Sequence, residues 1–542
     1  MSELMVKKDL DRIIREANDP NVESSQGTLK RHLGAFNLTM LGIGAIIGAG
    51  IFSLTGTAAA TYAGPGIIYS FILGGILCAF AGLCYAEMAA MIPVAGSAYA
   101  YSYATMGEFI AWLIGWDLIL EYAFGAVTVS IAWSGYFQSI LKNFDIHLGD
   151  FALRFFAGPW TNVMLNDGSM ARGIWNIPAS FVALALASVL YRGVQESAKL
   201  NNVIVLIKIA IVVTIIVLGL SVIDMNNLNV NPDATGLGSL VPPVENGHFG
   251  WGKGGVLTAA GVVFFAYIGF DAVSTTAQEA KNPKRDLPIG ILASLIICTV
   301  LYILISLVLT GVVNYKELNV AAPMGVGIDK IVELRNWSPA AGAFLSSAVK
   351  IGAISGLTSV ILVMMMGQTR IFYAMSKDGL LPWFSHAHPV HGTPHAATIL
   401  TGLFVAICGG VMPLGLVGEL VSIGTLLAFL LVCIGVPILR ITNPHVERPF
   451  KIPAPWAIGL TGAGFCLWLM SNLPHDTWIR LMIWMEVGLL IYACYGWRHS
   501  KMASTQSAER KSINITLVLI AIVTLIPTLY WAYRTFGKPI LW

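Results

Sequence analysis

Apolar residues along this chain fall in long unbroken runs, separated by short polar connectors. A helix needs roughly 20 apolar residues to cross a bilayer core. Thirteen stretches qualify as candidate spans: 36–62, 66–92, 107–141, 175–191, 200–223, 252–279, 287–313, 339–376, 396–412, 415–439, 455–471, 477–497 and 513–534. The runs are continuously apolar, which argues against a membrane barrel of short strands with one polar face. Residues 1–35 are polar and charged, and the first apolar run is longer than a signal peptide, so it is expected to stay attached as a signal-anchor. Within that segment Leu4, Leu10, Ile13 and Ile14 stand among Lys, Asp and Arg. Such a stretch suits a helix lying on the membrane, a cover over the cytoplasmic mouth, or a solvated tail. The connectors 142–174, 224–251 and 314–338 are too short to hold a soluble domain.

Composition agrees with this map. Of 542 residues, 56% are hydrophobic and 11% charged, against about 25% charged in a typical soluble domain. The surplus must face lipid. A net charge of +3 carries no nucleic-acid footprint. With the N-terminus in the cytoplasm, inside segments hold 20 of the 32 lysines and arginines, as the positive-inside rule requires. The thirteenth span then places Arg534 and Lys538 outside. The chain is expected to be an all-α, multi-pass protein of the cell inner membrane. Its seven cysteines sit in or beside apolar runs without a C-x-x-C pair and read as apolar fillers. His386, His388, His391 and His395 lie close together, but Pro382, Pro389 and Pro394 interrupt them, and they read as a solvated loop rather than a metal site.

The first span is unusual. It reads Leu41-Gly-Ile-Gly-Ala-Ile-Ile-Gly-Ala-Gly-Ile-Phe52, and each glycine weakens a helix by about 1 kcal/mol relative to alanine. Ile47 stands where a dinucleotide fingerprint needs its third glycine, and no strand precedes it. Two readings remain: close helix packing through Gly44-x-x-x-Gly48, or a break lining a cavity. A break would offer amides to a carboxylate and carbonyls to an ammonium, holding both ends of a zwitterion. Span six reads Val263-Phe-Phe-Ala-Tyr-Ile-Gly-Phe-Asp-Ala-Val-Ser274 and carries Gly269 and Asp271 at membrane depth. An acidic group there costs roughly 2.5–3.5 kcal/mol on insertion scales and signals function. Interrupted spans five apart suggest inverted repeats. The expected organisation is a cytoplasmic segment 1–35, a first repeat 36–223, a second repeat 252–440 and additional spans over 455–534.

Four segments resemble the amino acid–polyamine–organocation superfamily, in its cationic amino acid transporter branch. They are Gly42–Phe52; Tyr85-Ala-Glu-Met with Pro93-Val-Ala-Gly-Ser-Ala-Tyr99; Phe264–Asp271 continuing to Lys281-Asn-Pro-Lys-Arg-Asp-Leu-Pro288; and Gly367-Gln-Thr-Arg-Ile-Phe-Tyr-Ala-Met-Ser-Lys-Asp-Gly-Leu-Leu-Pro382. The resemblance implies a fold of ten core helices in two inverted repeats, with spans 1 and 6 broken and about three spans added. It implies a substrate carboxylate at the amides of Gly48, Ala49 and Gly50, and an α-amino group at the carbonyls of Ile46, Phe265 and Ile268. Phe265 would also close over the substrate as a gate. Ala49 stands where relatives often have Ser or Thr, so a backbone contact survives and a hydroxyl contact does not. Leu357 would face the substrate side chain. Its bulk would disfavour arginine and lysine and favour small or apolar amino acids.

Lys208 lies some eight residues into span five, about 12 Å deep at 1.5 Å per residue. Either it snorkels to the surface, or it is the coupling residue. By resemblance its ammonium replaces the sodium ion of sodium-coupled relatives, bonds to the span-one backbone and exchanges a proton during transport. Asp117 and Glu121 share one face of span three. Glu121 is the better candidate to approach the substrate side chain, the alternative being hydrogen bonds to Trp112, Trp116 or Tyr122. Asp271 would shape the pocket or relay protons. No cofactor or metal is called for, and no catalytic constellation stands at membrane depth. The expected function is proton-coupled amino acid symport, with amino acid/polyamine exchange, sodium symport, a channel and a non-transporting sensor as rivals.

Overall fold

The computed structural model describes residues 6–8, 10, 33–93, 96–144, 146, 148–192, 198–277, 280–320, 322–384 and 394–501. Candidate span 513–534, most of the N-terminal segment, and His386, His388 and His391 lie outside them.

Helix lies under each of the first twelve candidate stretches. In chain order the helices are α1 Ala35–Ile46, α2 Thr55–Ala58 between two π-helical turns, α3 Ile67–Met91, α4 Ser97–Thr105 and α5 Glu108–Asn143. After a connector come α6 Ile177–Tyr191, α7 Ala198–Leu220, α8 Val256–Val263, α9 Ala272–Thr275, α10 Pro283–Val312, α11 Pro323–Leu334 and α12 Pro339–Lys377. The series ends with α13 His395–Val411, α14 Leu414–Thr442, α15 Pro455–Asn472 and α16 His475–Ile491. Prolines in the first turn open α10, α11, α12 and α15, where the missing N–H has no partner to lose. Asn176 and Ser338 cap α6 and α12 with side-chain oxygens.

By length and composition, eight helical stretches among the described residues are able to cross a membrane, and the first, Ala35–Met91, runs through two candidate spans. Ile177–Tyr191 and His395–Val411 are shorter apolar helices. The expectation of an all-α chain needs one amendment. A small antiparallel hairpin, β1 Asn162–Met164 with β2 Met170–Arg172, occupies the connector after α5. Its turn is closed by Asp167, whose side chain accepts from the Ser169 amide at 2.8 Å. A three-residue strand is too short to show a hydrophobic alternation.

Glycines set how the helices meet. The long helices α5 and α12 run antiparallel, with Gly115 against Met375, Gly367 against Tyr122 and Gly125 against Met364. Gly42 brings α1 onto Ser294 of α10, and Gly82 brings α3 onto Leu295. Without a hydrophobic drive between helices in lipid, such close approach is what holds them together. The segment Val256–Thr275 is 94% buried over its apolar window, against 33% for His475–His499. The interrupted sixth span is therefore the centre of the bundle, and α16 is its rim.

Candidate functional site

Helix α1 stops at Ile46. Ile47 leaves helical geometry (φ −73°, ψ 89°) while its amide still bonds Ile43. A π-helical turn over Gly50–Leu54 resumes the path, and the Phe52 amide donates to the Gly48 carbonyl at 3.1 Å. Among the described residues, the amides of Gly48, Ala49 and Gly50 donate to no other backbone group. A helix start leaves its first amides orphaned, and here they are buried.

The second break follows α8. A 3-10 turn over Phe264–Tyr267 leads to Ile268 in extended geometry (φ −60°, ψ 137°), then to Gly269 at φ +117°, then to α9. Two reasons fix glycine at 269: the left-handed backbone, and the Ala45 backbone lying 2.8 Å from where a Cβ would stand. The relation is reciprocal. A Cβ at Gly50 would collide with the Ala266 backbone. Each break therefore sits in the space that the other's glycine leaves free.

Tyr302 of α10 joins them. Its hydroxyl lies 2.8 Å from the Ile46 carbonyl and 2.9 Å from the Ala266 carbonyl. One proton serves them in turn. Of the carbonyls expected to meet an ammonium, Ile46 is shared with Tyr302, and Phe265 accepts the Ile268 amide at 3.2 Å. Each keeps a second lone pair for a ligand. The Phe265 side chain is buried.

Lys208 of α7 is fully buried, and its ammonium donates to the Gly44 carbonyl at 2.7 Å, one turn before the first break. Its stem passes Gly356 of α12, where a Cβ would stand 2.9 Å from Cε. Four residues on, Val360 packs on Gly48 at 3.3 Å from a Cβ position. Leu357 is buried three residues before Val360, on the same face of α12.

The acidic side chains gather around the second break. The Tyr122 hydroxyl donates to Asp271 Oδ2 at 2.5 Å and the Gly269 amide to Oδ1 at 3.2 Å. Glu121 lies within electrostatic reach of Asp271, though neither of its oxygens has a hydrogen-bond partner among the described residues, and Asp117 lies one turn earlier against Gly424 of α14. All three carboxyls are fully buried. Trp112 and Trp116 do not serve them: their indoles donate to the carbonyls of Gly488 and Trp484 on α16, at 3.0 and 2.8 Å.

Ile46, Gly48, Ala49, Gly50, Phe265, Ile268 and Asp271 thus stand on two touching breaks, with Lys208 and Glu121 reaching them from neighbouring helices. Tyr302 and Val360 were missed. An aromatic or β-branched residue in an apolar span carries no pattern that separates a break-facing position from an ordinary core one.

Residues 33–494 match the family model described as amino acid permease. The chain is 42% identical to the methylthioribose transporter of Bacillus subtilis (strain 168) over 92% of this chain and 99% of that one. It is 43% identical to a branched-chain amino acid permease of the same organism, over 88% of this chain and 96% of that one. A chloroplastic cationic amino acid transporter of Arabidopsis thaliana is 38% identical, over 88% of this chain and 90% of that one. With a permease model spanning residues 33–494 and transporters as relatives over nearly their full lengths, the chain belongs to the amino acid permease family.

Proposed function

We propose that this protein is a proton-coupled secondary amino acid transporter, a symporter for small or apolar amino acids, set in the cell membrane with its N-terminus in the cytoplasm. The observation that carries the reading is the first break. Three buried amides without backbone partners, at Gly48, Ala49 and Gly50, lie beside the carbonyl of Ile46. An α-amino carboxylate matches that pattern at both ends. In this reading 36–223 and 252–440 are the inverted repeats, related through breaks five spans apart, and 455–534 is peripheral. Phe265 closes over the substrate.

Lys208 supports proton rather than sodium coupling. Its ammonium already fills a backbone carbonyl of the first span, which is the place a cation would take. Loss of its proton to water during the cycle would free Gly44 and loosen α1 from α7. Leu357 supports an apolar side-chain preference, in keeping with the relative named as a branched-chain amino acid permease.

The relative named as a methylthioribose transporter favours a second reading. That compound has neither carboxylate nor ammonium, so the three free amides would meet hydroxyls instead. Uptake into proteoliposomes separates the two. Leucine, alanine, arginine and methylthioribose are offered under an inward proton gradient, with and without sodium. Leucine or alanine is expected to accumulate with the pH gradient and no internal amino acid. Uptake that follows sodium and ignores pH overturns the coupling assignment. Uptake that occurs only against internal amino acid makes the protein an exchanger.

A further inference from the structure

The N-terminal residues return to the bundle at the end where α4 lies. The Glu108 amide, at the start of α5, donates to the Val6 carbonyl at 3.0 Å, and the Lys8 amide to the Tyr103 carbonyl at 3.4 Å. The Lys8 ammonium stands 2.6 Å from each oxygen of Asp378, the residue that closes α12, and 4.6 Å from the centre of the Tyr103 ring. Tyr99 donates to the same carboxylate at 2.6 Å. An exposed ion pair contributes little by itself. This one is sheltered, with the Lys8 side chain 27% and the Asp378 side chain 16% exposed, and the ammonium holds both oxygens at once.

The two sides of this contact differ in how firmly they are held. The Asp378 carbonyl accepts the Lys501 amide at 3.0 Å, and Gly379 (φ +85°) packs on the His499 carbonyl. Glu108 is buried and receives the hydroxyls of Tyr103, Tyr492 and Ser500. The acidic side is thus a frame built from α5, α12 and the stretch after α16. Val6 and Lys8 join that frame through two backbone hydrogen bonds and one ion pair, which part without unpacking a helix. Helix α4 lies between the frame and the second break. Its last turn carries Tyr103, while its first residue, Ser97, accepts the Ser274 hydroxyl of α9 at 3.2 Å. Its nine residues, about 13 Å at 1.5 Å per residue, separate the ion pair from the far half of the break. That half is also tied to the entry of α1, where the Lys281 amide donates to the Leu33 carbonyl at 2.8 Å.

We propose that residues 6–8 are a detachable clasp on the gate at this end of the bundle. Lys8 on Asp378 pins α4 across the bundle end, α4 holds Ala272–Thr275 in place, and the path from the second break to this side opens when the clasp parts. A contact made in only one of two states shifts the balance toward that state. With the clasp on, the protein stays closed on the side that carries its N-terminal residues, which is the cytoplasm in the proposed orientation. The inference rests on the transport reading for its purpose, but the coupling of Lys8 to the second break is measurable without any substrate.

Hydrogen–deuterium exchange on the purified full chain tests it. Lys8→Ala is the main variant, because Lys8 lies in no helix and its loss leaves the bundle packed. Exchange in peptides covering 97–105 and 268–275 is expected to rise about fivefold, as the loss of one sheltered ion pair allows. Exchange in α13, which the clasp does not touch, should stay as in wild type. Lys8→Arg keeps the pair and should remain within about twofold of wild type in every peptide. Lys8→Asp should behave as Lys8→Ala does, and adding Asp378→Lys to it should restore slow exchange. A rise confined to 6–10 and 376–380 overturns the clasp, since the segment is then only an anchored tail. No rise at all, or an equal rise in α13, overturns it as well. The expected pattern in a protein that moves no amino acid in proteoliposomes would count against the transport reading and leave the clasp standing.

Discussion

The two breaks use the same device, a glycine where a helix gives way, and put it to different ends. The first, at Ile47–Gly50, carries no ionisable residue of its own. It offers amides and a carbonyl, and a lysine reaches it from α7. The second, at Ile268–Phe270, is followed at once by Asp271 and is surrounded by carboxyls and hydroxyls. In the proposed function, backbone groups would read what every amino acid shares, and side chains would read protons and differences. On that reading an alanine at position 49 costs the first break nothing, while the second break is dense in side-chain chemistry.

The largest expected effect comes from breaking the interlock itself. Gly50→Val and Gly269→Val each drive methyl groups into the opposing backbone, and overpacking costs about 1–3 kcal/mol. Both should abolish uptake in reconstituted protein, with a monodisperse elution profile showing that the bundle survives. Lys208→Met comes next and sharpens the division of labour. Accumulation under a pH gradient should fall to background, while counterflow of the same amino acid persists. Tyr302→Phe removes the hydroxyl that touches both breaks. A hydrogen bond is worth about 1 kcal/mol, so substrate affinity measured by calorimetry should weaken roughly fivefold. Leu357→Ala should move preference toward larger side chains by about tenfold in competition uptake. The smallest effect is expected at Ala49→Ser, which leaves the amide in place; affinity should stay within about twofold.

Much of this was legible because a membrane makes irregularity conspicuous. Gly48, Gly50 and Gly269 are helix breakers inside apolar runs, and Lys208 and Asp271 are charges at depth, so each violates what lipid demands. The glycine run was less uniform than it reads. Gly42 and Gly44 remain inside α1, and Gly42 serves packing against Ser294. Close packing, at Gly42 and at Gly48 against Val360, and a break in the helix therefore both occur in the first span, a few residues apart. Glu121 lies within electrostatic reach of Asp271, because separate helices converge there, which spacing along one helix cannot tell. Tyr302 and Val360 were invisible for the opposite reason: each obeys the rules for an apolar span.

The most direct test of the central claim is the binding of leucine against leucinamide, measured by calorimetry on the purified protein and repeated with Gly50→Ala. If the amides at Gly48–Gly50 hold a carboxylate, leucinamide binds at least tenfold more weakly than leucine, a cost of about 1.4 kcal/mol or more. In Gly50→Ala, where a methyl group displaces Ala266, that difference shrinks. Equal binding of the two ligands would contradict the account, since the first break would then not read the carboxylate at all.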